Sequence, residues 1–260
     1  MKTFYLNLLM LFLYCMTHAQ SNTHHPRFVT PNYQVYSSYR DGNTLYLGGA
    51  FNGVGYNTGA LAGLSPQSDI PDFDLPFLNG TIYCVIPDNS GGWYVGGSFN
   101  YSDGVITRYN ILKILANKTA DLNFNCNVNS TVRALALGTN NLLYIGGSFS
   151  EINATSRSYL AAANKNTGAL NAWNPVLNSS VLTLQLKDSL LVSGGQFTVV
   201  NNTIRNYLAV FNINTGALLK NYPGTNYHVN ETYIHNNTVY AGGLFSYAGK
   251  YTGSAVKMQG

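Results

Sequence analysis

The chain has 260 residues, of which only 9% are charged, and its formal net charge of +4 is spread without a basic run. That distribution argues against nucleic-acid binding, which needs clustered Lys and Arg. The length suits one repeat domain and leaves no room for a second of similar size.

Residues 1–19 read as a signal peptide. Lys2 is the positive start, Phe4 to Cys15 is an apolar run too short to span a bilayer, and Thr17-His18-Ala19 is a cleavage site that leaves Gln20 first. A lipid anchor on Cys15 is the competing interpretation, but Tyr14 stands where a small residue is needed. No second apolar stretch follows, so residues 20–260 are expected to be exported without a transmembrane segment and secreted or held at the cell surface. His24-His25 lies just ahead of the first strand, and no Cys or His cluster has zinc spacing, so no metal and no cofactor are expected.

Beyond the leader a Gly-Gly doublet, followed two residues later by Phe, occurs five times: Gly48-Gly49, Gly96-Gly97, Gly146-Gly147, Gly194-Gly195 and Gly242-Gly243. Successive doublets are 48, 50, 48 and 48 residues apart, a period typical of propeller blades. In the third repeat Val132 to Leu137 reads as an inner strand, and Gly138 to Asn141 as a tight turn. Leu142 to Phe149 then returns as the partner strand. A loop of roughly ten residues leads to a third strand, Tyr159 to Ala163. Asn164 to Gly168 is turn chemistry, and Ala169 to Trp173 an outer strand closed by Pro175. The inner strand recurs at Val35 to Arg40, Ile82 to Ile86, Val181 to Leu186 and Val229 to Ile234, and the outer aromatic at Phe73, Phe124 and Tyr222. The expected fold is all-β: a five-bladed β-propeller of four-stranded antiparallel blades, one domain over residues 20–260. The fifth repeat stops short of an outer strand. Phe28 to Val35 parallels Tyr222 to Val229, so an N-terminal strand is expected to complete the last blade and close the ring. An open arc cut from a longer array is the alternative.

The pattern L-Y-x-G-G-x-F, R-x-Y-L-A, N-x-x-T-G-A-L, W-x-P is carried by Leu143 to Phe149, Arg157 to Ala161, Asn164 to Leu170 and Trp173 to Pro175. The fourth repeat repeats it in Arg205 to Ala209 and Asn212 to Leu218. In these residues the chain resembles the delta-60 repeat propellers, along with related bacterial surface proteins and fungal cortical polarity markers. The resemblance implies a secreted or surface-displayed, non-catalytic binding or scaffold protein, and it brings no catalytic residues with it.

The residues agree that an enzyme is not expected. A glycan hydrolase or lyase working in an axial funnel would draw two carboxylates from the inner strands, and those strands hold only Glu231. The candidate binding residues are Arg108, Arg157 and Arg205, which lie 12, 11 and 11 residues past the first glycine of their doublets. Repetition puts them at one end of three blades, where they could hold an anionic glycan or an acidic partner. Alternatively they satisfy backbone carbonyls and stack on Tyr109, Tyr159 or Tyr207. Tyr56, Tyr101 and Tyr247 are further candidates for stacking on sugar rings, so the expected partner is a macromolecule, either a glycan or a surface protein. Cys84 and Cys126 are expected as free thiols, with a disulfide as the other option. The nine N-x-Ser/Thr triplets read first as turn chemistry, and as glycan acceptors only in a eukaryotic secretory pathway.

Overall fold

Short runs rich in Val, Ile, Leu, Tyr and Thr, punctuated by Asn, Asp and Gly, favour pleated strands and tight turns. The computed structural model describes residues 31–54, 58–68, 71–72, 74–236 and 238–249, and these are all-β. The first repeat gives β1 (Val35–Asp41), β2 (Thr44–Gly49) and β3 (Leu61–Leu64), and the second β4 (Asn79–Pro87), β5 (Trp93–Ser102) and β6 (Thr107–Ile114). The third gives β7 (Val132–Leu137), β8 (Leu142–Gly147), the short pair β9 (Glu151–Ile152) and β10 (Thr155–Ser156), and β11 (Leu160–Asn164). The fourth repeats that plan in β12 (Val181–Lys187), β13 (Leu190–Gly195), β14 (Val199–Val200), β15 (Thr203–Ile204) and β16 (Leu208–Asn212). The fifth contributes β17 (Val229–His235) and β18 (Thr238–Gly243).

Each of the first four repeats forms a three-stranded antiparallel sheet with the doublet strand in the middle. The expected fourth strand is only a stub. In the third repeat it amounts to the bridge Ala163–Leu170 and two bonds, Asn164 N–H to Ala169 O and Asn171 N–H to Ala162 O, both 2.8 Å. The Asn171 carboxamide then accepts the Trp173 N–H at 2.8 Å, and this turn lifts the chain off the edge. The expected ten-residue loop is itself ordered as the hairpins β9–β10 and β14–β15, turning on Asn153-Ala154 and Asn201-Asn202 at positive φ.

The inner strands β1, β4, β7, β12 and β17 lie side by side in sequence order. The first glycine of each doublet is where one sheet meets the next. A Cβ on Gly48, Gly96, Gly146 or Gly194 would sit 2.5–2.6 Å from the side chain of Ile82, Val132, Val181 or Val229 in the following repeat. These four partners are fully buried, and apolar layers built from adjacent repeats fill the space between sheets. Phe99, Phe149 and Phe197 belong to those layers, as their spacing predicts, and Phe51 is buried in a cluster confined to the first repeat.

Among the described residues this packing has no counterpart between the fifth and first repeats. A Cβ on Gly242 would meet nothing within 4 Å, and Val35, the counterpart of those buried partners, is 43% exposed. The expected closing strand pair, 28–30 with 255–258, lies outside the described residues. The predicted parallel between the N-terminal segment and the 222–229 segment does hold, since Pro31 bridges Val54 as Thr225 bridges Ala248.

Candidate ligand-binding site

The three candidate arginines fall at equivalent places, and their guanidinium groups turn onto backbone. Arg108 is 7% exposed and donates from Nε to Phe124 O (2.7 Å), from Nη1 to Thr107 O (2.9 Å) and from Nη2 to Leu122 O (3.2 Å). Arg157 reaches Ser156 O (2.8 Å) and Asn171 O (3.3 Å), and Arg205 reaches Ile204 O (3.4 Å) and Leu219 O (3.5 Å). Each side chain ties the entrance of a third strand to the outer stub fourteen residues later, so its contacts are those of a structural clamp. Among the candidate tyrosines, Tyr101 is buried and donates to Asp103 Oδ2 at 3.0 Å, and burial pushes its phenol up to about 12. Tyr247 is exposed, and Tyr56 lies outside the described residues.

A different row of side chains comes together on the inner strands. In all five, the ladder slips by one residue at the same point: between Val35 and Ser37, Ile82 and Cys84, Val132 and Ala134, Val181 and Thr183, and Val229 and Glu231. The extra residue is a β-bulge, which leaves the ladder and re-aims its side chain. The second glycine of the doublet accommodates it, because a Cβ on Gly147 would lie 2.1 Å from the Thr131 carbonyl oxygen. The bulged residues are Tyr36, Tyr83, Arg133, Leu182 and Asn230. Tyr36 stacks on Tyr83 with centroids 5.3 Å apart and planes 25° apart, and the Arg133 guanidinium carbon lies 4.2 Å from the Tyr83 ring centre. No hydrogen bond or ion pair joins Arg133 to a described side chain, and its buried Nε has no acceptor. The sequence carried a signal for this row, namely the residue after each inner-strand Val or Ile.

Glu231 sits next to the bulge of β17 and is held by hydrogen bonds from Thr183 Oγ1 (3.0 Å) and the Thr232 N–H (3.1 Å). Asp41 closes β1 at its far end. A separate groove of about 410 Å³ is lined by Asp88, Tyr94, Lys113 and Lys165 among others, and two of these charged groups are engaged within the fold. Lys113 pairs with Asp121 at 2.9 Å, and Asp88 accepts the N–H groups of Ser90 and Gly92.

Four lead-in asparagines, three residues before an inner strand, hold two backbone N–H groups each. Asn32 accepts from residues 52 and 53, Asn129 from 150 and 151, Asn178 from 198 and 199, and Asn226 from 246 and 247. Two triplet asparagines, Asn129 and Asn178, are therefore engaged as internal struts, in line with the turn interpretation.

Cys84 and Cys126 are free, and desolvation pushes both thiols up to about 12. Folding thus keeps two thiols protonated that ionise near pH 9 once unfolded. Their contribution to native stability is complete below pH 9 and is lost as pH rises toward 12. Equilibrium unfolding in urea at pH 8 and pH 10.5 should show this loss, and a Cys84→Ser/Cys126→Ser double variant should lose less over the same interval.

No family model matches the chain, and no curated protein sequence does. Among solved structures it is similar to the computationally designed protein Ika4, with 14% identity over 71% of this chain and 94% of that one and a TM-score of 0.45. It is also similar to the extracellular domain of a proposed one-component system from B. thetaiotaomicron, at 19% identity over 83% of this chain and 27% of that one, TM-score 0.48. A third is the WD40 β-propeller domain of Doa1, at 14% identity over 82% of this chain and 77% of that one, TM-score 0.43. At these scores the established description stays with what the chain itself displays: an all-β array of repeated antiparallel sheets, without a helix long and apolar enough to cross a membrane among the described residues.

Proposed function

We propose that this chain is an exported five-bladed β-propeller of the delta-60 repeat kind, and that it works as a non-catalytic binding or scaffold module for a glycan or a surface protein. The observation that carries the binding role is the row Tyr36, Tyr83 and Arg133. Three large side chains gather at one strand position, and the guanidinium among them is unmatched by any described acceptor. Arg108, Arg157 and Arg205, with their backbone contacts, act as clamps in this scheme. Support for a non-catalytic role comes from the inner-strand carboxylates. Glu231 is tied to two threonines, and Asp41 stands at the opposite end of its strand. Export is supported by the leader at residues 1–19.

Two measurements test this. Expression of the full chain in a Gram-negative host should yield a protein outside the cytoplasm whose N-terminus is Gln20; cytoplasmic retention with Met1 would reject export. On a glycan array the protein should retain ligands without generating reducing ends, and release of reducing ends would establish a hydrolase or lyase instead.

A further inference from the structure

We propose that the Tyr36–Tyr83–Arg133 row is a subsite for a carboxylate-bearing sugar, a uronic-acid residue of an acidic polysaccharide; this deepens, and rests on, the binding-module function above. Stacking on Tyr83 occupies the face of the guanidinium and leaves its edge, where the N–H groups point, for a planar acceptor. Arg133 differs here from Arg108. Arg108 spends Nε, Nη1 and Nη2 on carbonyls. Arg157 and Arg205, whose Nε atoms are also unpaired, still place both Nη groups on carbonyls, whereas no nitrogen of Arg133 has an acceptor among the described residues. Its two Nη groups, which are not enclosed, present the fork that the two oxygens of a carboxylate match.

The rest of the row selects the kind of anion. Arg133 is its single charge, its other bulge positions are Tyr36, Tyr83, Leu182 and Asn230, and Glu231 lies beside Asn230. A dense polyanion would find one cation and one carboxylate there, which disfavours it. A sugar unit carrying one carboxylate and otherwise neutral hydroxyls fits better. Tyr36, 46% exposed at the end of the stack, offers an aromatic surface for sugar C–H groups, and Asn230 offers an amide for hydroxyls.

The test is calorimetric titration of the full mature chain with trigalacturonic acid, with its methyl ester, and with the peptide Gly-Glu-Gly. The wild type should bind the acid about tenfold more tightly than the ester. Arg133→Gln and Arg133→Lys should both lose that preference, the lysine because it keeps the charge without the fork, while Arg157→Gln should retain it. Equal binding of acid and ester, or a preference that survives both Arg133 variants, overturns the subsite. Arg133-dependent binding of the peptide but not the sugar overturns the ligand class and leaves the binding function standing. A wild type that binds none of the three and nothing on the glycan array removes the binding function as well. Arg133→Lys keeps the stacked stem, so the comparison holds even where Arg133→Gln fails to fold.

Discussion

Gly147→Ala is expected to cost more than about 3 kcal/mol, Gly146→Ala about 1–3 kcal/mol, and Gly242→Ala no more than about 0.5 kcal/mol. The three changes add the same methyl group, so the ranking depends only on what it meets. At Gly147 the new carbon would lie 2.1 Å from the backbone carbonyl oxygen of Thr131, pinned there by the bulge of β7. Neither strand can withdraw without breaking the ladder. At Gly146 the obstacles are side chains, Val181 Cγ1 at 2.6 Å and Leu184 at 3.2 Å, which can move at the expense of the packing between two sheets. At Gly242 no atom of the described residues stands within 4 Å. Urea unfolding of the three variants gives the comparison directly through their midpoints. A loss at Gly242 equal to that at Gly146 would show that Val35 seats on Gly242 in solution and that the ring closes. A Gly147→Ala protein as stable as wild type would contradict the bulge geometry.

Arg108→Gln should destabilise the fold by about 2–4 kcal/mol while leaving ligand retention on the glycan array intact at a temperature where the variant is folded. The side chain is buried, and its removal strips acceptors of charge-assisted hydrogen bonds at the Phe124 and Leu122 carbonyls. Arg157→Gln and Arg205→Gln should cost less, because each makes one cross-link to the outer stub, at 3.3 and 3.5 Å, where Arg108 makes two, at 2.7 and 3.2 Å, and their Nε atoms have no acceptor to lose. Thermal unfolding of the three variants provides the order. A stable Arg108→Gln protein that has lost its ligand would return these residues to the binding surface.

The repeat was legible because its strongest requirement is local. Gly-Gly at a 48-residue period marks where one sheet must approach the next, and a strand that must turn tightly advertises itself in Asn and Gly. These signals place the inner strands to within a residue or two in four of five repeats, and the Phe of the first four doublets is buried as expected, while Phe245 is half-buried. The second repeat departed, with β4 beginning at Asn79 because its lead-in pairs directly with the extended β5.

The chain's composition and spacing by themselves determined an all-β repeat array with sheet-to-sheet glycine contacts. Tertiary structure alone decided that, among the described residues, Arg133 is left without an acceptor. Arg108, Arg157 and Arg205 share a sequence position, so repetition made them look like a site, yet their fate depends on carbonyls brought near by the outer stub fourteen residues on. Arg133 has no repeated counterpart in the sequence. It gains its neighbours only when adjacent sheets stack and identical bulges swing residues from different repeats into one row, and a contact between Tyr83 and Arg133 fifty residues apart leaves no local trace.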